Sequence, residues 1–252
     1  MVLANYLGGI RVVPAWLKHA PDVGLTVADL IAPFFIFAIG LTYGLSARRR
    51  TQAAGSSKTV AHFIVRFFAL IGIGSLISAG EILFEIDHAT INWGVLQAIG
   101  VAGLFSLPVI GWTWRRRLTL GLVLLAGYQI LLDHGWRAKV LAQPHGGLYG
   151  AMGWTALLIL ATVLADGFHN EKSGHARFAG FTGLTLVLGL LLAVWVPISK
   201  NRISASYVLV SLGASGAVFA GFVGLARRCE RRLDLLAAWG ENPLLLYVLH
   251  FF

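Results

Sequence analysis

Residues 23–50 read VGLTVADLIAPFFIFAIGLTYGLSARRR. Within 23–47 a single acid, Asp29, interrupts a run that otherwise carries no charge, and three arginines close it. About twenty apolar residues in a helix cross a bilayer, and a helix satisfies its own N–H and C=O groups where water is absent. The stretch therefore reads as a membrane span. The rest of the chain repeats the pattern: of 252 residues, 57% are hydrophobic and 12% charged, and mean hydropathy is +0.76. A soluble domain is charged at roughly a quarter of its positions, and a disordered chain lacks this much apolar surface. Both classes are excluded.

Working outward, further spans fall at 60–79, 91–112, 118–132, 151–168, 178–197, 203–226 and 235–252, with a partial first helix over 1–9. The expected fold class is all-α: a polytopic transmembrane helix bundle of about nine spans, forming one integral membrane domain over 1–252. The segment 118–132 is short for a bilayer, and 133–149, with Trp136, Pro144 and Tyr149, reads as an outer loop, either an interfacial one anchored by its tryptophan or a cover over a bound molecule.

Charge tests the parse. One set of connections holds Arg48, Arg49, Arg50, Lys58, Arg115, Arg116, Arg117, Lys172, Arg177, Arg227, Arg228, Arg231 and Arg232; the other holds Arg11, Lys18, Arg137, Lys139, Lys200 and Arg202. Basic loops stay in the cytoplasm, so the loop containing His19 is expected outside. The net charge of +9 is thus a topology signal, and no nucleic-acid partner is implied. The lone Cys229 forms no internal disulfide, and the segment before Val13 lacks the basic start of a secretory signal. Gly40 and Gly44 have the spacing at which membrane helices approach closely.

Ionisable groups in a bilayer need a reason. Asp29 lies one to two turns into its span, Arg66 near the start of the next and Glu81 at that span's end. Gln97 and Gln129 are buried amides, while Glu241, Asn242 and His250 lie in the last span. His19 precedes the Asp29 helix in a loop. A neutral imidazole can deprotonate an amine or accept an acyl group, and Asn5 can offer an amide N–H to an oxyanion. His88, His134, His145, His169 and His175 are scattered without ligand spacing, so no metal is expected. The same residues admit a transporter in which Asp29, Arg66 and Glu81 line a polar path, or a non-catalytic membrane subunit.

Lys18-His19-Ala20, Gly24-Leu25-Thr26-Val27-Ala28-Asp29-Leu30 and Pro33-Phe34 together resemble the signature of the heparan-α-glucosaminide N-acetyltransferase family. Asn5-Tyr6 with Gly8-Gly9, Arg66 with Ile71-Gly72, Gly94-Val95-Leu96-Gln97, and Gly240-Glu241-Asn242-Pro243-Leu244 with Tyr247 and His250 extend the likeness. The resemblance implies a multi-span acyltransferase that moves an acetyl group from cytosolic acetyl-CoA to an amine or hydroxyl of an extracytoplasmic amino sugar. It implies His19 as acetyl acceptor or general base and Asn5 as its active-site companion. Asp29 is expected to orient His19, and Arg66, Gln97 and Asn242 to meet the donor. The membrane implied is a bacterial inner membrane, and a homo-oligomer is left open. Against the family pattern, the chain begins inside the first helix and ends where relatives continue. Pro21-Asp22-Val23 stands in place of a tryptophan, Ala32 in place of an aromatic and Ala98 in place of an arginine.

Overall fold

The computed structural model describes residues 14–83, 92–169, 174–228 and 240–249, and among them every regular element is helical. The main helices are α1 (Ile31–Ala54), α2 (Ser56–Leu83), α3 (Val95–Ser106), α4 (Trp114–Leu131), α5 (Arg137–Leu141), α6 (Gly147–Phe168), α7 (Gly174–Leu192), α8 (Ala205–Arg228) and α9 (Pro243–Leu249). Six described helices are long and apolar enough to span a bilayer: Ala28–Ala54, Ser56–Gly80, Trp114–Leu141, Pro144–Phe168, His175–Leu192 and Ala205–Arg228. The segment Val95–Val109 is apolar but shorter. The partial first helix and both ends of the last predicted span, 235–239 and 250–252, lie outside the described residues.

Two expectations are revised. The short span expected at 118–132 runs from Trp114 to Leu141, and the loop expected over 133–149 is largely helical. The Leu132–Trp136 turn is a π-type widening in which His134 and Gly135 leave helical geometry, Gly135 with φ 146°. A bulge of this kind lets a helix bend without ending. Polar residues Asp133, His134 and Arg137 hid that continuity from a hydropathy reading.

α6 occupies the centre. Its side chains from Ala151 to Ala165 are almost all buried, and α1, α3, α4, α7 and α8 pack around it. A helix apolar on every face belongs inside a bundle. The small residues make this possible. At Gly40 an added Cβ would lie 2.5 Å from the Ala161 Cβ, so α1 and α6 approach to backbone contact. Gly189 and Gly213 give α7 and α8 the same intimacy, each facing the other helix's backbone. Successive helices run antiparallel, so the bundle has two ends. One gathers His19, Trp93, His145 and Lys200; the other gathers Arg48, Arg117, Asp166 and Arg227.

Candidate active site

At the His19 end, three connections are tied together. Gly24 N–H donates to the Ile198 carbonyl at 2.8 Å, and Asn201 Nδ2 donates to the Pro21 carbonyl at 2.8 Å. Arg202 clamps the Asp22 carboxylate through Nε at 3.2 and 3.0 Å and through Nη2, while Ser199 Oγ donates to the same carboxylate at 2.8 Å. The Arg202 hydrogen bonds hold the Asp22 carboxyl below the usual carboxylate range, against the opposing effect of burial. Ile203 has φ 50°, a conformation a β-branched residue rarely adopts. Its side chain fills the space that Cβ atoms at Gly146, Gly150 and Gly153 would take, which wedges the 198–204 loop onto the start of α6.

Asp29 sits where these connections meet, fully buried in the short turn Ala28–Leu30 ahead of α1. Its Oδ1 accepts from His19 Nδ1 at 2.8 Å and lies 3.5 Å from Lys200 Nζ. Its Oδ2 accepts from the Ala20 N–H and Thr26 N–H, each at 3.1 Å, and from Thr26 Oγ1 at 2.9 Å. Tyr207 Oη donates to the Asp29 carbonyl at 2.7 Å. A carboxylate with this many donors stays ionised and fixed. Because it can only accept, it places the His19 proton on Nδ1 and leaves Nε2 as a bare lone pair. The His19 side chain is 47% exposed, so that lone pair stands at the mouth of the bundle. Burial pushes the Lys200 ammonium down, and the neighbouring Asp29 opposes this.

Other expected site residues lie elsewhere. Arg66 borders a cleft of about 390 Å³ together with Thr42, Ile73 and, from α9, Leu244 and Tyr247. Gln97 is buried with its Oε1 accepting the Gly94 N–H at 3.0 Å, closing the start of α3. Asn242 is exposed just ahead of α9, and Glu81 falls in the last turn of α2. Asn5, His88 and His250 lie outside the described residues. Gln129 bridges the Ala205 N–H at 2.9 Å and Asp133 at 3.0 Å.

Sequence reading missed two features. Lys200, Asp22 and Arg202 pass as ordinary loop charges, and only their placement beside Asp29 and the His19 loop gives them a part. At the opposite end, Arg117 is buried with Nη2 on Asp166 and Nε on the Trp112 carbonyl at 3.2 Å, while Arg48 lies 3.5 Å from Asp166. Arg48 also borders a cavity of about 870 Å³ with Thr51, Gln52 and Thr59. The run Arg115-Arg116-Arg117 holds one buried arginine and two exposed ones, which no hydropathy window separates.

A described structure that is all helical, with six helices long and apolar enough to cross a bilayer, defines a multi-pass membrane protein, and a carboxylate-held imidazole lies at one mouth of its bundle. The chain belongs to the heparan-alpha-glucosaminide N-acetyltransferase family, since the family model described as "Heparan-alpha-glucosaminide N-acetyltransferase, catalytic" matches residues 13–167. The match contains His19, Asp29, Arg66, Gln97 and Arg117; Lys200, Arg202 and Tyr207 lie beyond it. The heparan-alpha-glucosaminide N-acetyltransferases of Mus musculus and Homo sapiens are each 36% identical to the chain over 109 residues, 40% of this chain. That alignment spans 15% of the length of either relative.

Proposed function

We propose that the protein is a membrane-bound acyltransferase that carries an acetyl group from acetyl-CoA to an amine or hydroxyl of an amino sugar on the far side of the membrane. The observation that carries the reading is the 2.8 Å bond from His19 Nδ1 to Asp29, which leaves Nε2 free at the bundle mouth. With His19 as general base, Nε2 takes a proton from the acceptor amine as its nitrogen attacks the thioester carbonyl. The C–S bond breaks, and the proton passes to the departing CoA thiolate. With His19 as acetyl carrier, Nε2 attacks the thioester, the C–S bond breaks and CoA leaves as the thiolate; the acceptor amine then displaces the imidazole, and the proton it loses neutralises the thiolate. In both routes Asp29 orients the ring and offsets its developing positive charge. Asn5 is the proposed donor to the acyl oxyanion.

The donor side is assigned to the arginine-rich end and the clefts within the bundle. Arg66, Gln97 and Asn242 are proposed to meet acetyl-CoA, Arg66 because it borders an apolar cleft wide enough for a pantetheine arm. Arg48, Arg49 and Arg50 supply positive potential for its phosphates. The basic bias between connections supports a cytoplasmic arginine end and an extracytoplasmic His19. The proposed whole is a single domain over 1–252 of about nine spans in a bacterial-type inner membrane.

The test is transfer of labelled acetyl from acetyl-CoA to glucosamine by the purified protein in detergent or membranes. Activity that is lost in His19→Ala and kept in wild type supports the reading; full activity in His19→Ala overturns the role of His19. Uptake of sugar into proteoliposomes without a donor would instead support transport.

A further inference from the structure

One oxygen of the proposed site, Asp29 Oδ1, faces two groups that can each carry a positive charge. His19 Nδ1 lies 2.8 Å from it and Lys200 Nζ 3.5 Å. The Lys200 side chain is 15% exposed and that of Asp29 is fully buried, so little water stands between these charges to screen them.

A lysine head on its flexible four-carbon stem holds one place only where the backbone beneath it is fixed. Here it is fixed from within and from outside. Ser199 N–H donates to Ser204 Oγ at 3.1 Å, Arg202 N–H to Ser199 Oγ at 3.2 Å and Ile203 N–H to the Lys200 carbonyl at 3.1 Å, which closes 199–204 into a tight turn. The bonds from Gly24 to Ile198, from Asn201 to Pro21 and from Arg202 to Asp22 tie that turn to the His19 segment on both sides of Lys200. The ammonium is thereby delivered to the carboxylate that holds the imidazole.

Asp29 and Lys200 together are neutral. A neutral His19 ring leaves the cluster balanced, while a protonated ring adds an uncompensated positive charge. Without Lys200 the order reverses, because Asp29 and a protonated ring then balance each other. The other titratable groups at this end of the bundle do not replace it. Arg202 is engaged by Asp22, Arg137 pairs with Asp133, Lys18 precedes His19, His145 lies in the turn ahead of α6, and the Tyr207 hydroxyl goes to the Asp29 carbonyl rather than its carboxylate. Among the described residues, Lys200 is the one lysine or arginine within ion-pair distance of Asp29.

We infer that Lys200 is a positioning residue for the reaction: by sharing Asp29 Oδ1 with His19 it fixes the carboxylate and favours the neutral imidazole, whose Nε2 is then free to act. Lys200 lies beyond the residues that the family model matches. The inference rests on the acetyl-transfer reading for the reaction, and on the shared oxygen for the residue.

The test uses the full chain in detergent and reads the ring with and without turnover. Diethyl pyrocarbonate acylates a neutral imidazole and spares a protonated one, and peptide mass spectrometry separates His19 from the other histidines. In Lys200→Met and Lys200→Gln the pH of half-maximal His19 labelling should rise by about one pH unit relative to wild type. The acid limb of kcat for acetyl transfer should move with it, and the acetyl-CoA KM should stay unchanged. Lys200→Arg keeps the charge and should restore both profiles. An unmoved labelling profile in a folded neutral variant overturns the inference, whatever happens to the melting temperature. Lys200→Arg behaving like Lys200→Met, or failure of both neutral variants to fold, overturns it as well and makes Lys200 a structural clamp. A moved labelling profile in a protein with no acetyl transfer keeps the charge coupling and discards the enzyme reading.

Discussion

The two ends of α1 solve the same problem, a charge inside a membrane bundle, in opposite ways. At one end Asp29 is wrapped by backbone N–H groups, Thr26, His19 and Lys200, so that every lone pair faces a fixed donor. At the other end, roughly 28 Å away at 1.5 Å rise per residue, Arg117 is buried against one acid among the described residues, Asp166, and its Nη1 has no partner among them. The first end presents the half-exposed His19 imidazole; the second opens beside a cavity of about 870 Å³ bordered by Arg48. Rigid preorganisation suits a group that must hold reacting atoms in place, while an open, positively charged vestibule suits capture of a large polyanion. On the proposed reading, the chemistry belongs to the His19 end and capture of the donor to the other.

The sharpest way to break that division is His19→Ala. Acetyl transfer should fall by about 100- to 10,000-fold, as for loss of a general base, with the melting temperature near that of wild type; a large fall in melting temperature would make His19 structural. Next in size, Arg117→Met should lower stability by about 3 kcal/mol, because it breaks the buried ion pair, removes the bond to Trp112 and leaves Asp166 with Arg48 alone. Denaturant titration in detergent measures this, and no change would mean that Asp166 finds another partner. Asp29→Asn keeps an acceptor for Nδ1 but removes the charge, and turnover should fall on the order of a hundredfold with acceptor KM little changed. Equal losses in folded yield would move Asp29 from the chemistry to the scaffold.

Smaller effects sharpen the picture. Tyr207→Phe removes one buried hydrogen bond to the Asp29 carbonyl and should cost about 1 kcal/mol, read as a lower melting temperature. The Asp22–Arg202 clamp supplies a pH signature. Because Arg202 depresses the Asp22 carboxyl, its stabilising contribution is complete above the ordinary aspartate value of about 3.9 and is lost as pH falls through the lower folded value. A melting-temperature series descending from pH 6 should therefore drop at its acid end, and Asp22→Asn should flatten that drop.

Much of this was legible in one dimension. Hydropathy located the helices, and the paired basic clusters already separated the bundle's two ends. His19 and Asp29 lie ten residues apart and share one motif, so a local reading could pair them. The errors fell where polarity and helix coexist: Asp133, His134 and Arg137 made a bulged helix look like a loop. His145 looked like a stray loop histidine because its positive-φ backbone and the bond from Trp154 to its carbonyl have no signature in composition.

The sequence by itself determined an all-helical membrane protein, the direction of its charge bias and the His19–Asp29 motif, because apolar length, arginine placement and short-range spacing act locally along the chain. Only the tertiary structure decided what surrounds that motif. Arg202 reaches Asp22 across 180 residues and Tyr207 reaches Asp29 across 178. No periodicity encodes such contacts; they exist because glycine-lined helices pack closely enough around α6 to bring the 198–204 connection and the start of α8 against the segment that carries His19, Asp22 and Asp29.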